Sequence, residues 1–400
     1  MDYLSYRDKL KCRFPDPVLA FEPDEYEARL ALVRQEMANA ELDLLLLTDA
    51  GELCYLTGYN TFEVSVQCVL LVSASRTVLF VPAIEIGPAV YLSRVDKVIG
   101  YPWQAPEAVA SELAAQVRST AGSHNPRIGF NPWAGSLRPG LLSTLKSKLN
   151  AASFHDFGQL VDRVRLIKSP AEMAYLSESA AITCAGLDAA AAVIQAGVTD
   201  HEIAQAGASY MLGAGSEFMS MQPIVTTGAR SGIIHTNHAG YKVVRGDAVF
   251  TEFGAVRQRY TAPLMRTAVA GKASPEIHEF HSVCLAVLEA VMVAARAGSS
   301  FASAARAGEA ALATIADRAF FSGVFGYPVG AALPPSWVAG SMFIAADNES
   351  ILEENMVFHL PICLRKPGEF GIGFSETVRI TATGAERITA NKLNLEEINS

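Results

Sequence analysis

Apolar residues recur at steps of three and four positions in several stretches of this chain, and that period predicts amphipathic helices. Between Pro23 and Ala40 they fall at Tyr26, Leu30, Val33 and Met37. Short continuous apolar runs that end in polar turns predict buried strands instead. In the first part of the chain the two patterns predict helices at 23–40 and 106–119 and strands at 42–48, 66–72, 77–81 and 127–130. Strands that alternate with helices indicate an α/β domain.

The pattern changes just after residue 162, where we place a domain boundary. Ser169 suits a helix N-cap, Pro170 suits the first turn, and Glu172 completes a capping box with Ser169. Further on, the patterns predict helices at 170–196, 200–212, 275–297 and 301–319, and strands at 223–226, 248–255, 260–269, 356–364 and 377–381. Helices that flank an antiparallel sheet indicate an α+β domain at 163–400.

Composition narrows the functional classes. The chain has 400 residues, of which 50% are hydrophobic and 18% charged, so a large core is expected. A net charge of −9 argues against a nucleic-acid partner, because such binding relies on Lys and Arg to neutralise phosphates. The N-terminus lacks the pattern of a signal peptide, and the longest apolar runs, about six to eight residues, are too short to span a bilayer. We therefore expect a soluble protein with no membrane partner.

The use of cysteine in this chain indicates a cellular compartment. The six cysteines are scattered, and none forms a Cys-x-x-Cys pair of the kind that binds zinc or carries redox chemistry. Cys68, in an apolar run, is typical of a small buried hydrophobic residue. This usage favours a reducing, cytoplasmic location.

Several segments, in order, resemble one superfamily. The segment GDAVFTEFGA at 246–255, followed by YTAPLMRT at 260–267, resembles the metal-binding hairpin of the creatinase/prolidase/methionine aminopeptidase superfamily. RLIKSPAEM at 165–173 resembles the entry to the catalytic domain of that superfamily, and ENMVFHLPICL at 354–364 and GIGFSETVRIT at 371–381 resemble its later ligand-bearing strands. The resemblance implies a creatinase-type N-terminal domain at 1–162, a "pita-bread" catalytic domain at 163–400, and a homodimer.

The ligand positions of that superfamily are not preserved. Metal-dependent members use two Asp, one His and two Glu, a set suited to transition metals. The corresponding positions carry Glu252, Pro263, Tyr327, Leu360 or Pro361, and Ser375. Pro and Leu side chains offer no donor atom. We therefore predict no catalytic metal and no other cofactor.

Two branches of the superfamily that work without a metal resemble this chain more closely. The catalytic His of creatinase matches His235, although the acidic residue that precedes the Arg-Thr pair in creatinase is Met265 here. RYTAPLMRT at 259–267, GYPVGAALPPSW at 326–337 and MVFHLP at 356–361 resemble the ectoine hydrolase branch, which opens a cyclic amidine to give an N-acetylated diaminobutyrate. Residues 49–55 and 362–366 depart from that branch, and we expect these loops to shape the substrate pocket.

Opening such a ring needs a nucleophile or a partner for the cationic ring, and a proton donor for the leaving nitrogen. Glu252 is the candidate nucleophile or cation partner, and the alternative is a structural bridge to Arg257, Arg259 or Arg266. His235 is the candidate acid/base, because imidazole titrates near neutral pH. The substrate is expected to be a small molecule. Its candidate binding residues are Tyr327, His359, Glu376, Arg266, His238 and Trp337.

Each of these binding candidates also has a structural alternative. His359 lies on an apolar strand, where a histidine is often part of the core. Arg266 suits either a substrate carboxylate or an ion pair with Glu252 or Glu376. Trp337 suits either a pocket wall or loop packing.

The sequence thus favours a metal-independent hydrolase of a small C–N compound. An Xaa-Pro aminopeptidase, a creatinase-like hydrolase and a lyase of the type that acts on dimethylsulfoniopropionate are alternatives on the same scaffold. An alternative of another class is an inactive binding module, similar to the peptidase-like domains of some histone chaperones.

Overall fold

The computed structural model describes residues 2–105 and 107–398, and it divides into two compact units, Met1–Arg165 and Leu166–Ser400. The division lies within a few residues of the boundary that the sequence suggested.

The first unit is built on one mixed sheet. Its strands are β1 (Leu44–Leu47), β2 (Val69–Ser73), β3 (Thr77–Pro82), β4 (Lys97–Tyr101), β5 (Arg127–Phe130) and β6 (Ser153–Asp156), in the order β4-β3-β2-β1-β5-β6. β2 pairs antiparallel with β1 and β3, and the other neighbours are parallel. The helices are α1 (Tyr3–Arg13), α2 (Pro23–Asn39), α3 (Ala50–Thr57), α4 (Ile86–Tyr91), α5 (Ala108–Ala121) and α6 (Pro139–Lys148). The predicted α/β class is confirmed.

The sequence patterns missed part of this unit. They gave no indication of α1, α3, α4, α6, β4 or β6. These are short, or only partly buried, so their apolar residues are too few to set a period. Helix α5 matches the helix predicted at 106–119, although residue 106 lies outside the described residues.

The second unit combines helices with two four-stranded sheets. The division falls within α7 (Leu160–Leu166), and the helices of the second unit are α8 (Pro170–Ala191), α9 (Asp200–Gly213), α10 (Pro275–Ala294) and α11 (Phe301–Leu312). Its strands are β7 (Ile224–Thr227), β8 (Ala248–Phe253), β9 (Val256–Arg257), β10 (Tyr260–Thr261), β11 (Leu264–Ala270), β12 (Tyr327–Pro328), β13 (Val357–Leu360), β14 (Cys363–Lys366), β15 (Phe370–Gly373), β16 (Glu376–Ile380), β17 (Ala385–Arg387) and β18 (Glu396–Ile398).

The two sheets run β18-β11-β8-β7 and β12-β13-β16-β17, and β9–β10 and β14–β15 form separate antiparallel pairs. Helices α10 and α11 contribute to one apolar core with the strands of the second sheet, and α8 and α9 contribute to another with β8 and β11. This is the predicted α+β, pita-bread arrangement.

Prolines divide two of the predicted strands. The run predicted at 260–269 is interrupted at Pro263, between β10 and β11, and the run at 356–364 is interrupted at Pro361, between β13 and β14. Proline has no N–H to give to a strand ladder, so it ends the pairing. The capping box at Ser169 and Glu172 is present, but α8 ends at Ala191, earlier than predicted.

Helix α10 corrects the expectation about apolar length. By length and composition it could cross a membrane, although the short continuous apolar runs of the sequence predict no such segment. Its residues Ile277, Phe280, Cys284, Val287, Leu288 and Val291 are buried in the core of the second unit. The helix therefore has a packing role in the fold.

Candidate active site

The second unit contains a cavity of about 450 Å³ that opens to solvent. Three neighbouring strands supply part of its wall, because Glu252 on β8 lies opposite Ile224 on β7 and Met265 on β11. Opposed residues of adjacent strands point to the same face of a sheet, so two apolar side chains flank the carboxyl group. Trp337 and Val338 add to the apolar lining.

The environment of Glu252 is unusual for a carboxyl group. Its side chain is 8% exposed, and burial raises its pKa to about 8, although the positive charge of Arg365 opposes the rise. Among the described residues, Glu252 makes no hydrogen bond and no ion pair. The arginines that could have bridged it have other partners: Arg257 pairs with Glu178, Arg259 donates to Phe218 O and Ala332 O, and Arg266 pairs with Glu376. Glu252 thus has the setting of a reactive group.

His235 lies on the wall of the same cavity, on an exposed loop between β7 and β8. Its φ of 55° is in the left-handed region. Asn237 fixes the loop to β7, since it accepts a hydrogen bond from Val225 N at 2.9 Å and donates one to Pro223 O at 3.0 Å. The structure therefore brings His235 and Glu252, the two predicted catalytic residues, to one cavity.

Tyr327 and Trp337 also line the cavity, and His359 lies behind them. Trp337 Nε1 donates to Tyr327 Oη at 2.8 Å, and His359 Nδ1 lies 2.6 Å from the same oxygen. His359 Nε2 lies 2.7 Å from Ser375 Oγ, which accepts a hydrogen bond from Met265 N–H at 2.6 Å. Three of the predicted binding residues thus form one hydrogen-bonded chain.

The direction of this chain follows from the donors available. Burial lowers the pKa of His359 to about 3, so the ring is neutral and has one N–H. If Nε2 carried that hydrogen, Ser375 Oγ would accept twice and its own buried hydroxyl hydrogen would have no acceptor among the described residues. With the hydrogen on Nδ1, Ser375 donates to Nε2, and His359 donates to Tyr327 Oη. A buried unpaired donor is costly, so the second arrangement is preferred.

In that arrangement Tyr327 Oη accepts from both Trp337 and His359. Its own hydrogen is then free to point into the cavity. Burial, together with the nearby Glu252 carboxylate, raises the pKa of Tyr327, so the phenol keeps its proton. Tyr327 is therefore a hydrogen-bond donor directed at the site.

Three other predicted binding residues lie elsewhere. Glu376 is fully buried, accepts a hydrogen bond from Arg266 at 2.6 Å, and pairs with Arg387 at 2.8 Å. Arg266 also donates to Ser375 O at 2.8 Å, and neither Glu376 nor Arg266 lines the cavity. His238 contacts His201 with 3.0 Å between the two Nδ1 atoms, also away from the cavity lining. This placement favours structural roles for all three, because each side chain already has a polar partner away from the cavity.

Two residues of the site were not predicted as such. The sequence marks Ser375 only as a lost ligand position, and Arg365 only as part of a loop that departs from the ectoine hydrolase branch. Arg365 lines the cavity from β14. Its charge directly after the apolar pair Cys363 and Leu364 was the available signal, but the sequence does not reveal which face of β14 meets Glu252.

The residues do not fit the metal centre that the superfamily implies. Pro263 and Pro361 bring no donor, Tyr327 Oη is taken by Trp337 and His359, and Ser375 Oγ is held by His359. Residues 2–105 and 107–398 contain no group of three or more His, Cys, Asp or Glu side chains placed to hold a metal ion. Glu252 is left as a single carboxylate, which is too few ligands for a dinuclear centre.

Fold and site together define a protein of the pita-bread hydrolase superfamily. The profile of metallopeptidase family M24 matches residues 174–382, and that of the creatinase/prolidase N-terminal domain matches residues 29–167. The chain belongs to metallopeptidase family M24, with a creatinase-type N-terminal domain. This confirms the superfamily inferred from the sequence.

Individual relatives refine the comparison. Over 395 residues the chain is 28% identical to the ectoine hydrolase of Halomonas elongata, an alignment that covers 92% of this chain and 96% of that protein. The prolidase of Pyrococcus horikoshii superposes with a TM-score of 0.79 at 21% identity, covering 93% of this chain and 100% of that one. The N-terminal domain of the FACT complex subunit SPT16 from Cicer arietinum gives a TM-score of 0.74 at 15% identity, with 94% and 99% covered. The two structural likenesses concern the fold alone, and the comparisons as a whole support a hydrolase of this superfamily.

Proposed function

We propose that this protein is a metal-independent hydrolase that opens a small cyclic amidine or amide at a C–N bond, in the manner of an ectoine hydrolase. The main support is Glu252, a buried carboxyl group that has no hydrogen-bond or ion-pair partner among the described residues and faces a largely apolar cavity. Similarity to the ectoine hydrolase over nearly the whole chain adds to it. The donor set argues against a metal-dependent peptidase mechanism.

Glu252 acts on the amidine carbon in one of two ways. As a nucleophile, its carboxylate bonds to the carbon, the ring nitrogen leaves with a proton, and water then releases the product. As a cation partner, it holds the amidinium, takes a proton from an attacking water, and the ring nitrogen again leaves protonated. In both routes a cationic substrate stabilises the ionised form of Glu252, which burial alone disfavours.

His235 supplies the proton for the leaving nitrogen, and Tyr327 donates a hydrogen bond to the reacting centre. The loop that carries His235 is exposed, so the imidazole can exchange protons with solvent. Trp337 and Met265 provide the apolar wall against the ring.

The test is a panel of cyclic amidines, cyclic amides and Pro-dipeptides, with ring opening read by mass spectrometry. The wild type should open a cyclic amidine, and Glu252→Gln should abolish the reaction while it keeps the fold. Turnover by Glu252→Gln within a few-fold of wild type would refute the assigned role. Cleavage of Pro-dipeptides alone would favour the peptidase alternative.

The variant that tests His235 must keep the left-handed backbone conformation of this residue. Asn tolerates the left-handed region better than most residues, so His235→Asn preserves the loop and removes the acid/base. A loss of about 10²–10⁴-fold in kcat is expected for a proton-transfer role. Unchanged turnover in His235→Asn would make His235 structural.

The alternative function, an inactive binding module, predicts a different result with the same panel. Thermal stabilisation by a ligand of the panel without any turnover would favour that alternative. The homodimer, the cytoplasmic location and the absence of nucleic-acid and membrane partners stay predictions.

A further inference from the structure

Arg365 is held firmly at the cavity wall. Its backbone N–H donates to Phe320 O at 3.1 Å, and its carbonyl accepts from Phe320 N at 2.8 Å. The residue opposite on β15 is Gly371, where an added Cβ would lie 3.3 Å from Arg365 Cγ. The guanidinium carbon lies 5.4 Å from the centre of the Phe250 ring. Backbone pairing and packing thus fix the direction of the side chain.

The guanidinium group nevertheless has unused hydrogen-bonding capacity. The thiol of Cys363 interacts with the guanidinium, but within the described part of the chain Nε is buried without a hydrogen-bond partner and no carboxylate lies within 4.0 Å of the guanidinium nitrogens. The contrast with Arg266 is clear, since Arg266 donates to Glu376, to the side chain of Asn391 and to four backbone carbonyl oxygens. Leaving a charged donor unpaired in a partly buried position is costly. A bound ligand would supply the missing acceptor.

Glu252 is the other charged group of importance at this cavity. Arg365 and Glu252 line the same cavity and influence each other electrostatically, but they form no ion pair with each other. Two groups of opposite charge that have no ion-pair partner among the described residues match a ligand that carries both charges. We propose that Arg365 binds the carboxylate of the substrate, so that the site takes small zwitterions whose cationic nitrogen faces Glu252.

A carboxylate fits this site better than a phosphate. The planar fork of an arginine matches the two oxygens of a carboxylate. The residues that line the cavity in the described part of the chain include no lysine and no second arginine to share the higher charge of a phosphate. A volume of about 450 Å³ suits a compact molecule.

The assignment rests on the proposed function and is tested by a matched pair of ligands. Ectoine is a cyclic amidine with one carboxylate, and 2-methyl-1,4,5,6-tetrahydropyrimidine is the same ring without it. Binding of both is measured by calorimetry to the wild type, Arg365→Gln and Arg365→Lys, with turnover followed by mass spectrometry. Arg379→Gln is the control, because Arg379 pairs with Glu386 at the surface.

Arg365→Gln should bind ectoine about 10²-fold more weakly and bind the ring without the carboxylate within about threefold of wild type. Arg365→Lys should recover part of the loss, and Arg379→Gln should match the wild type. An equal loss for both ligands, no loss for ectoine, or no binding of ectoine by the wild type at millimolar concentration would overturn the assignment. If ectoine binds through Arg365 but is not opened, the carboxylate assignment stands and the hydrolase proposal fails. If only the ring without the carboxylate is opened, the hydrolase proposal stands and the carboxylate assignment fails.

Discussion

At the scale of single residues, the site depends on a carboxyl group that the fold keeps from ionising. Glu252 lies between Ile224 and Met265, and the loss of hydration there raises its pKa to about 8. The charged or titratable groups around the cavity are Arg365, Cys363, Tyr327 and His235. Arg365 opposes the rise without cancelling it. Near neutral pH the free enzyme therefore holds Glu252 mostly in its protonated form.

The raised pKa of Glu252 has a direct kinetic consequence. The ionised Glu252 is the active form in both proposed routes, and its fraction grows as pH rises toward the raised pKa. The pH profile of kcat/KM reports the ionisations of the free enzyme, so its rising limb, which follows Glu252, should extend toward about pH 8 instead of ending near the ordinary value of 4.5. Steady-state kinetics between pH 5 and 9.5 would check this. A profile that is already flat above pH 5.5 would show that Glu252 ionises like an ordinary glutamate.

A second prediction concerns the hydrogen-bonded chain behind the cavity. Ser375→Ala removes the donor to His359 Nε2 and the acceptor for Met265 N–H, so His359 loses the contact that fixes its tautomer. We expect kcat to fall about tenfold or more with a smaller change in KM, because Tyr327 no longer has a defined direction. Ser375→Thr, which keeps the hydroxyl, should recover part of the activity. Equal kinetics for wild type and Ser375→Ala would contradict the assigned tautomer.

How far these residues follow from the sequence depends on what their roles require. Glu252 and His235 were found because they stand at recognisable positions of a resemblance. The pairing of Arg266 with Glu376, and the separation of both from the cavity, depends on which face of each strand meets which neighbour. A linear pattern does not contain that information.

At the scale of elements, strand β8 is positioned by the helix that packs on it. Gly207 of α9 lies against Phe253, the neighbour of Glu252, and an added Cβ would lie 2.1 Å from the Phe253 ring. That distance leaves no room for a methyl group. The close approach of α9 therefore requires glycine at this point.

Gly207→Ala should accordingly lower the free energy of unfolding by about 1–3 kcal/mol through overpacking. Gly213→Ala is the matched control, since Gly213 ends the same helix and a Cβ there would meet nothing within 4 Å. The control should be neutral or slightly stabilising, because alanine favours helix. Urea unfolding of both variants measures the difference. Similar stabilities for the two variants would mean that the helix shifts at little cost.

Most long elements could be predicted from the sequence, whereas boundaries and short elements could not. Capping signals located the start of α8, and apolar runs located β1, β3 and β8. Helix α6 and strand β6 have few buried residues, so their formation depends on neighbours that are distant in the chain. The breaks at Pro263 and Pro361 could have been predicted from the missing N–H alone.

At the scale of the whole molecule, the active site is expected to cost stability. The folded protein keeps the proton of Glu252 up to about pH 8, whereas the unfolded chain releases it near the ordinary value of 4.5. Unfolding therefore releases a proton across this window, and the free energy of unfolding falls as pH rises through it. Below pH 4.5 the contribution of Glu252 to the free energy of unfolding is fully present, and above about pH 8 that contribution has been lost.

Glu252→Gln removes the pH-dependent loss of stability that Glu252 causes, because the amide does not ionise. The variant should be more stable than the wild type by an amount that grows between pH 5 and pH 8 and reaches the order of a few kcal/mol. Parallel thermal or urea unfolding of the two proteins at several pH values measures it, and other ionisable groups cancel in the comparison. A difference that does not change with pH would mean that burial does not hold the proton on Glu252.

The central claim is that a metallopeptidase-family scaffold here opens a C–N bond without a metal. The most direct measurement is turnover of a cyclic amidine by purified protein after exhaustive chelation, with the metal content of the same sample determined by elemental analysis. We expect substoichiometric metal and turnover equal to that of the untreated protein. Loss of turnover on chelation, with recovery when manganese, cobalt, iron or zinc is returned, would contradict it.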